Sequence, residues 1–214
     1  LSSAASDVYK RQVFAYYGSD RNTSGFCAPR PSEGMDRMSV YNNAFSAGTN
    51  FDGFAEWFAA VLLERELAVS EAARMPLKRG NRAREEIEKK YRFISEIKGA
   101  LREFSPTLEG FYVEDGRLFV KPRGIPAEYL SQGEKSVAAL ISDIALRMSG
   151  ANPAMKKPLS TDAIIMIDEV DLHLHPDWQA QIAVKLQKIF PNAQFIVSSH
   201  SPSVFSVCLL YTSD

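Results

Sequence analysis

Two carboxylates stand directly after a run that reads as a buried strand: Ile164-Ile165-Met166-Ile167 is followed by Asp168 and Glu169. Acids in that place are costly to bury unless a cation or a water justifies them. Successive residues of an extended chain point to opposite sides, so Asp168 and Glu169 cannot do the same job. The plain alternative is an acidic loop that starts after a core strand. Upstream, Ser131-Gln132-Gly133-Glu134 is an S-x-x-E capping box, in which Ser131 accepts from the Glu134 amide and Glu134 reaches back. Capping alone explains it. A second explanation is an anion site, because Gly133 leaves the helix start bare and the amides and dipole there favour negative charge. Asp171-Leu172-His173-Leu174-His175-Pro176 holds a His-x-His pair beside an acid, which invites a metal, while Pro176 equally suits the first position of a helix. His200 lies in Ser-Ser-His-Ser-Pro, after the strand-like Gln194 to Val197. A lone histidine in such a place is ordinarily structural or on the surface.

The elements that must position these groups alternate. A strand at Val13 to Tyr17 (VFAYY) is β-branched and aromatic. Gly18 to Asn50 is rich in Gly, Ser, Asn and Pro, and reads as a long irregular connection with one short ordered piece. Phe54, Trp57, Phe58, Val61 and Leu62 then share one helical face. Ile87, Tyr91, Ile94, Ile97, Leu101 and Phe104 form a second, narrower stripe, suited to a helix pair or short coiled coil. Between the two stripes lie Arg74, Lys78, Arg79, Arg82 and Arg84, with no acid among them, around Pro76 and Gly80. Phe51 to Phe104 is therefore expected to be a helical hairpin arm inserted into the domain. Its basic tip is a candidate nucleic-acid contact, or else a solvated helix-turn-helix. Asp115-Gly116 between Phe111–Glu114 and Arg117–Val120 marks a tight hairpin. Beyond it, a helix from Gln132 to about Met148, a strand at Ala163 to Ile167, a helix at Asp177 to Ile189 and a strand at Gln194 to Val197 predict an α/β layer with a mainly parallel sheet. The unbroken apolar run before Asp168 predicts a strand covered on both faces.

Composition narrows the classes. The 214 residues are 45% hydrophobic and 24% charged with a formal net charge of -1, an ordinary globular balance that by itself implies no polyanionic partner. The apolar runs, such as Phe58 to Leu63, are too short to span a bilayer. Cys27 and Cys208 fit no metal or redox spacing, so a reduced, cytoplasmic setting is expected. Leu1 to Gln12 and Val207 to Asp214 do not continue the patterns beside them. SDVYKRQ and CLLYTSD resemble translated sequencing-adapter sequence, so both ends are expected to be non-native tails, with short natural tails as the alternative.

Leu130-Ser131-Gln132-Gly133-Glu134 resembles the ABC signature, Ile164 to Glu169 the Walker B strand, and Ser198-Ser199-His200 the switch region, in that order. From about Val13 to Ser206 the chain resembles the ABC-like AAA ATPases of bacterial anti-phage modules, Septu-type and retron-associated, which are similar in fold to SMC and recombination-repair heads. YLSQGEKS, IDEVDLHLHPDWQ and FPNAQFIVSSHSP carry the resemblance; the middle fits more loosely. The implied fold is the C-terminal lobe of a P-loop NTPase head of ABC type: the remainder of an N-terminal lobe at 13–50, the arm at 51–104 and the signature lobe at 105–206. The implied cofactors are ATP and Mg²⁺. Asp168 would hold Mg²⁺ and Glu169 would polarise the attacking water. His200 would contact the γ-phosphate. Ser131, Gln132, Gly133 and Glu134 would meet ATP held by a second subunit, and His175 would belong to the D-loop. The implied partners are a second copy, through an ATP sandwich, and a separate nuclease. No G-x-x-x-x-G-K-[ST] phosphate loop occurs in the 214 residues, so the chain alone is expected to be inactive. A transporter ATPase is disfavoured by His175, where Asp is usual, and by the long charged insertion. A non-hydrolysing binding module is the remaining alternative.

Overall fold

The structure, a computed structural model, describes residues 11–23, 25–26 and 38–208, with side chains to 205. Cys27 and most of both suspected tails lie outside the described residues. At the inner edge of the first tail, Arg11 and Gln12 are tied to the fold: the Arg11 amide donates to Asn152 at 2.9 Å and Tyr41 donates to the Gln12 carbonyl at 2.6 Å. Val207 and Cys208 fall within the last helix.

Three strands form a parallel sheet in the order β1 (Val13–Tyr17), β5 (Ala163–Ile167), β6 (Ala193–Val197). Phe14 pairs with Ile164 and Ile164 with Gln194, so the odd positions of β1 and β5 share one face. Val13, Ala15, Tyr17, Ala163, Ile165 and Ile167 on that face are buried. The other face is not covered as expected, for Phe14, Tyr16 and Ile196 remain 37%, 36% and 51% exposed. Ile164 and Met166, the residues of the apolar run on that second face, are half-buried, so the face is only partly covered among the described residues.

Helix α4 (Gln132–Ala151) is buried nearly all round and is the central helix of the core. It begins with the expected capping box, Ser131 accepting from the Glu134 amide at 3.3 Å and Glu134 from the Ser131 amide at 2.8 Å. It is pinned to β1 by a buried polar cluster. Tyr17 donates to Asp143 at 2.7 Å, as does the Nε of Arg147 at 2.7 Å, and the other arm of Arg147 donates to the carbonyls of Val40 and Asn42.

The segment expected to be a helical hairpin arm is three helices, α1 (Phe51–Ala73), α2 (Leu77–Lys90) and α3 (Arg92–Phe104). The inner half of α1 buries Phe54, Phe58, Val61 and Leu62, with Phe54 and Phe58 ring-to-ring at 5.3 Å. The helix breaks at Tyr91, a buried member of the second apolar stripe, and Ile94, Ile97, Leu101 and Phe104 are buried on α3, which packs against α4. Its partner is therefore the head rather than the arm. The basic residues also sit differently from the expectation. Of Pro76 and Gly80, only Pro76 breaks a helix; Lys78, Arg79, Arg82 and Arg84 lie on α2 itself, and Arg74 caps α1. Gly80 is tolerated in a helix because α2 crosses α1 there: a Cβ on it would stand 2.6 Å from the Ala72 carbonyl oxygen. Arg65 with Glu88 and Lys90 with Glu64 bridge the two helices.

The hairpin is formed by β2 (Gly110–Glu114) and β3 (Arg117–Lys121), antiparallel, with the short β4 (Ile125–Pro126) beside β3. Asp115 and Gly116 have φ of 49° and 75°, the two positive values that a type I′ turn needs. The helix expected over Asp177 to Ile189 is two pieces, α5 (Pro176–Gln179) and α6 (Ile182–Ile189), followed after β6 by α7 (Pro202–Cys208). None of the described helices is long and apolar enough to cross a membrane.

Candidate functional site

At the carboxyl end of β5 the chain leaves the sheet abruptly. Asp168 still donates its amide to the Tyr17 carbonyl at 2.8 Å, but Glu169 takes φ of 47° and His173 φ of 63°. Such left-handed values are uncommon for residues other than glycine and persist where surrounding contacts over-determine them. Those contacts come from two sides. Just after β6, Ser198 donates its hydroxyl to the Asp168 carboxylate and accepts the Glu169 amide at 2.9 Å, and its carbonyl accepts the Val170 amide at 3.0 Å. Ser199 donates to the Asp171 carboxylate. From the loop after β1, Arg21 donates to the carbonyls of Asp168 and Glu169. Asp168 and Glu169 are both half-buried.

The second part of the site is the start of α4. The first amides of a helix have no partner within it. Ser131 occupies that of Glu134 through its side chain and that of Lys135 through its carbonyl, leaving those of Gln132 and Gly133. The Glu134 carboxylate is held by Arg123 at 2.8 Å as well as by the Ser131 amide, so it closes the cap rather than pointing outward. Gly133 is buried, and a Cβ on it would meet the His173 carbonyl oxygen at 2.6 Å. The glycine expected to admit a phosphate is thus already required by the turn that follows the two carboxylates. That turn and the helix start are in direct contact, so sequence positions 131–134 and 168–175 converge.

His173 and His175 are exposed, and no group of three or more potential metal-ligating side chains occurs among the described residues. His175 precedes α5, its Nδ1 lying 3.4 Å from both the Asp177 amide and the Asp177 carboxylate. Gln179 donates to the Leu174 carbonyl at 3.0 Å and accepts from Ser201, which braces the turn against the segment carrying the exposed His200. The five bases are all exposed, at the end of α1 and along α2, and Arg82 is paired with Glu86. They are not part of the carboxylate site.

Three contributors were missed in the sequence. Ser198 and Ser199 were visible only as neighbours of His200, and Arg21 as one charge in an irregular loop. The signal that could have found Arg21 is its place just past the end of β1, the strand beside the one that ends in Asp168.

Mg²⁺ prefers oxygen ligands, takes one or two carboxylates and keeps several waters. Asp168, a half-buried carboxylate whose hydrogen bond from Ser198 orients it, is an oxygen donor of the kind such an ion takes.

Residues 33–206 match the family described as "AAA domain, putative AbiEii toxin, Type IV TA system". The chain belongs to this AAA family. It is 44% identical over 114 residues to "Retron Vc95 probable ATPase" of Vibrio cholerae serotype O1 biovar El Tor, covering 53% of this chain and 21% of that protein. It is 43% identical over 79 residues to "Septu protein PtuA" of Bacillus thuringiensis, covering 35% and 19%. The AAA chain thus spans about a fifth of the length of these relatives. Among solved structures it is similar to an Smc head bound to the C-winged helix domain of ScpA, with a TM-score of 0.42 and 18% identity over 67% of this chain and 44% of that one.

Proposed function

We propose that the chain is the signature and Walker B half of an ATP-hydrolysing head of the anti-phage defence type. The observation that carries this reading is the strained turn at Asp168–Glu169. One carboxylate is oriented by Ser198 and the other is free of protein hydrogen bonds among those described, directly beside a capped helix start with two amides to spare. Asp168 would hold Mg²⁺, which supplies neutralising charge at the phosphates. Glu169 would accept the proton of the attacking water. His200, on the segment braced to the same turn, would contact the γ-phosphate. The amides of Gln132 and Gly133, with Ser131, would face ATP bound by a second copy, so that two chains close around two nucleotides. Membership of the AAA family and the names of the retron and Septu relatives support an ATPase in a defence setting.

The phosphate loop that cradles the β- and γ-phosphates would come from sequence outside these 214 residues, and the chain by itself should not hydrolyse ATP. In the same reading the head controls a partner nuclease, and the exposed bases Arg74, Lys78, Arg79, Arg82 and Arg84 contact nucleic acid. The test is Mg²⁺-dependent hydrolysis of ATP by the full-length protein. Asp168→Asn should abolish the response to Mg²⁺, whereas robust hydrolysis by the 214-residue chain alone would contradict the half-site.

A further inference from the structure

The loop after β1 holds a buried cation to which the reading above gives no role. Arg21 is 1% exposed. Its Nη1 donates to the carbonyls of Gly18 at 3.1 Å and Asp168 at 2.5 Å, and its Nη2 donates to the carbonyl of Glu169 at 2.9 Å. Its Nε has no hydrogen-bond partner. Burial lowers the pKa of the guanidinium from its ordinary value, and the charges of Glu169, Asp168 and Asp171 act against that fall. A buried arginine is expensive, and carbonyl oxygens are a modest return for it unless their position matters.

Two features make the position matter. The planar fork takes consecutive carbonyls, 168 and 169, and so fixes the peptide planes on both sides of the Glu169 Cα at the residue with φ of 47°. The loop that delivers the fork is itself anchored. The Arg21 carbonyl accepts the Thr49 amide at 2.7 Å, and the Asn22 carbonyl accepts from the Asn50 side chain at 3.1 Å. Ser198 holds the turn from the opposite side, through the Glu169 amide and the Asp168 carboxylate.

We propose that Arg21 is the positioning residue of the hydrolytic turn: it clamps the carbonyls of Asp168 and Glu169 and thereby sets where the Glu169 carboxylate points. The role in hydrolysis rests on the function proposed above; the clamp does not. Arg21 touches no reacting atom and acts only through Glu169. A lysine in its place keeps the charge but loses the fork, and a methionine loses both.

Two readouts on Arg21→Met and Arg21→Lys test this. In the 214-residue chain, amide hydrogen exchange at Glu169 and Val170 is compared with that at Ile165 and Ile167. Arg21→Met should speed exchange at the turn by roughly tenfold to hundredfold, as the loss of a hydrogen bond from a charged group implies, with the strand interior unchanged. Arg21→Lys should recover part of the protection, and it carries the test should the methionine variant fail to fold. In the full-length protein, kcat for ATP hydrolysis should fall by about tenfold or more while KM stays within about twofold, the pattern of an interaction lost only in the transition state. Wild-type exchange at the turn in Arg21→Met would overturn the clamp, as would β5 and the turn loosening together. A kcat unchanged in a variant whose turn has loosened would overturn the positioning role. No hydrolysis by the wild-type full-length protein would overturn the proposed function, and the exchange result would still decide the clamp.

Discussion

Replacing Gly133 by alanine separates two reasons for a glycine at the head of α4. The sequence suggests that the bare helix start admits a phosphate; the structure shows the space already filled by the chain itself. An alanine Cβ would lie 2.6 Å from the His173 carbonyl oxygen and 3.5 Å from the Leu174 Cα. Ordinary contact begins at 3.4 Å, so helix and turn must separate by 0.8 Å, or by 0.4 Å to reach even the 3.0 Å limit. The turn has little room to give. His173 is already left-handed, Leu174 is buried, and the Leu174 carbonyl is held by Gln179. Overpacking of this kind costs about 1–3 kcal/mol. Alanine returns at most about 1 kcal/mol through helix propensity, and less in a first turn. The net expectation is a loss of about 1–2 kcal/mol. In a chain of this size that lowers the melting temperature by about 2–8 °C. Calorimetry or circular dichroism of the 214-residue chain, with no nucleotide present, measures it. A melting temperature equal to or above that of the parent would refute the packing argument and restore phosphate access as the reason for the glycine.

Three further outcomes follow from particular contacts. Arg147→Met strands the buried Asp143 charge and should destabilise the chain by about 3–5 kcal/mol in urea titration, with partial recovery when Asp143→Leu is added. Tyr17 has its pKa held well above the ordinary 10.0, first by burial and then by the Asp143 charge. The unfolded chain therefore releases the phenolic proton first as pH rises, and stability should fall above about pH 10; a flat alkaline profile in thermal melts would contradict this. Replacing Arg79, Arg82 and Arg84 by serine in the full-length protein should weaken nucleic-acid binding and flatten its salt dependence, each lost phosphate contact removing about 0.9 from the slope of log K against log salt. An unchanged slope would reduce the cluster to a solvated helix face.

The sequence carried the parts of the fold set by short-range pattern. Val13–Tyr17 and Ala163–Ile167 were legible as strands, and the capping box at Ser131 and the Asp115-Gly116 turn could be read from single residue types, because each satisfies a local rule of hydrogen bonding or backbone sterics. What was not legible depends on partners distant in the chain. The stripe from Ile94 to Phe104 announces a helix with one apolar face, but not that α4 receives it. Gly80 reads as a breaker until α1 is seen crossing it. The carboxylates of the site were readable, since two acids after an apolar strand need a reason. Arg21 and Ser198 were not, since a buried arginine and an exposed one are the same letter and only the β1–β5–β6 order brings their loops together.

The central claim is that Glu169, held at the end of β5, is the base of an ATP-hydrolysing head. Its most direct test is Glu169→Gln in the full-length protein, followed by single-turnover hydrolysis and by nucleotide retention on the purified complex. The amide keeps the hydrogen bond to water but cannot take the proton, so turnover should fall by about 10²–10⁴-fold, with ATP still bound and two copies held together. Hydrolysis at the parental rate would place the base elsewhere, and loss of bound ATP would contradict the assignment of Glu169 to chemistry rather than to binding.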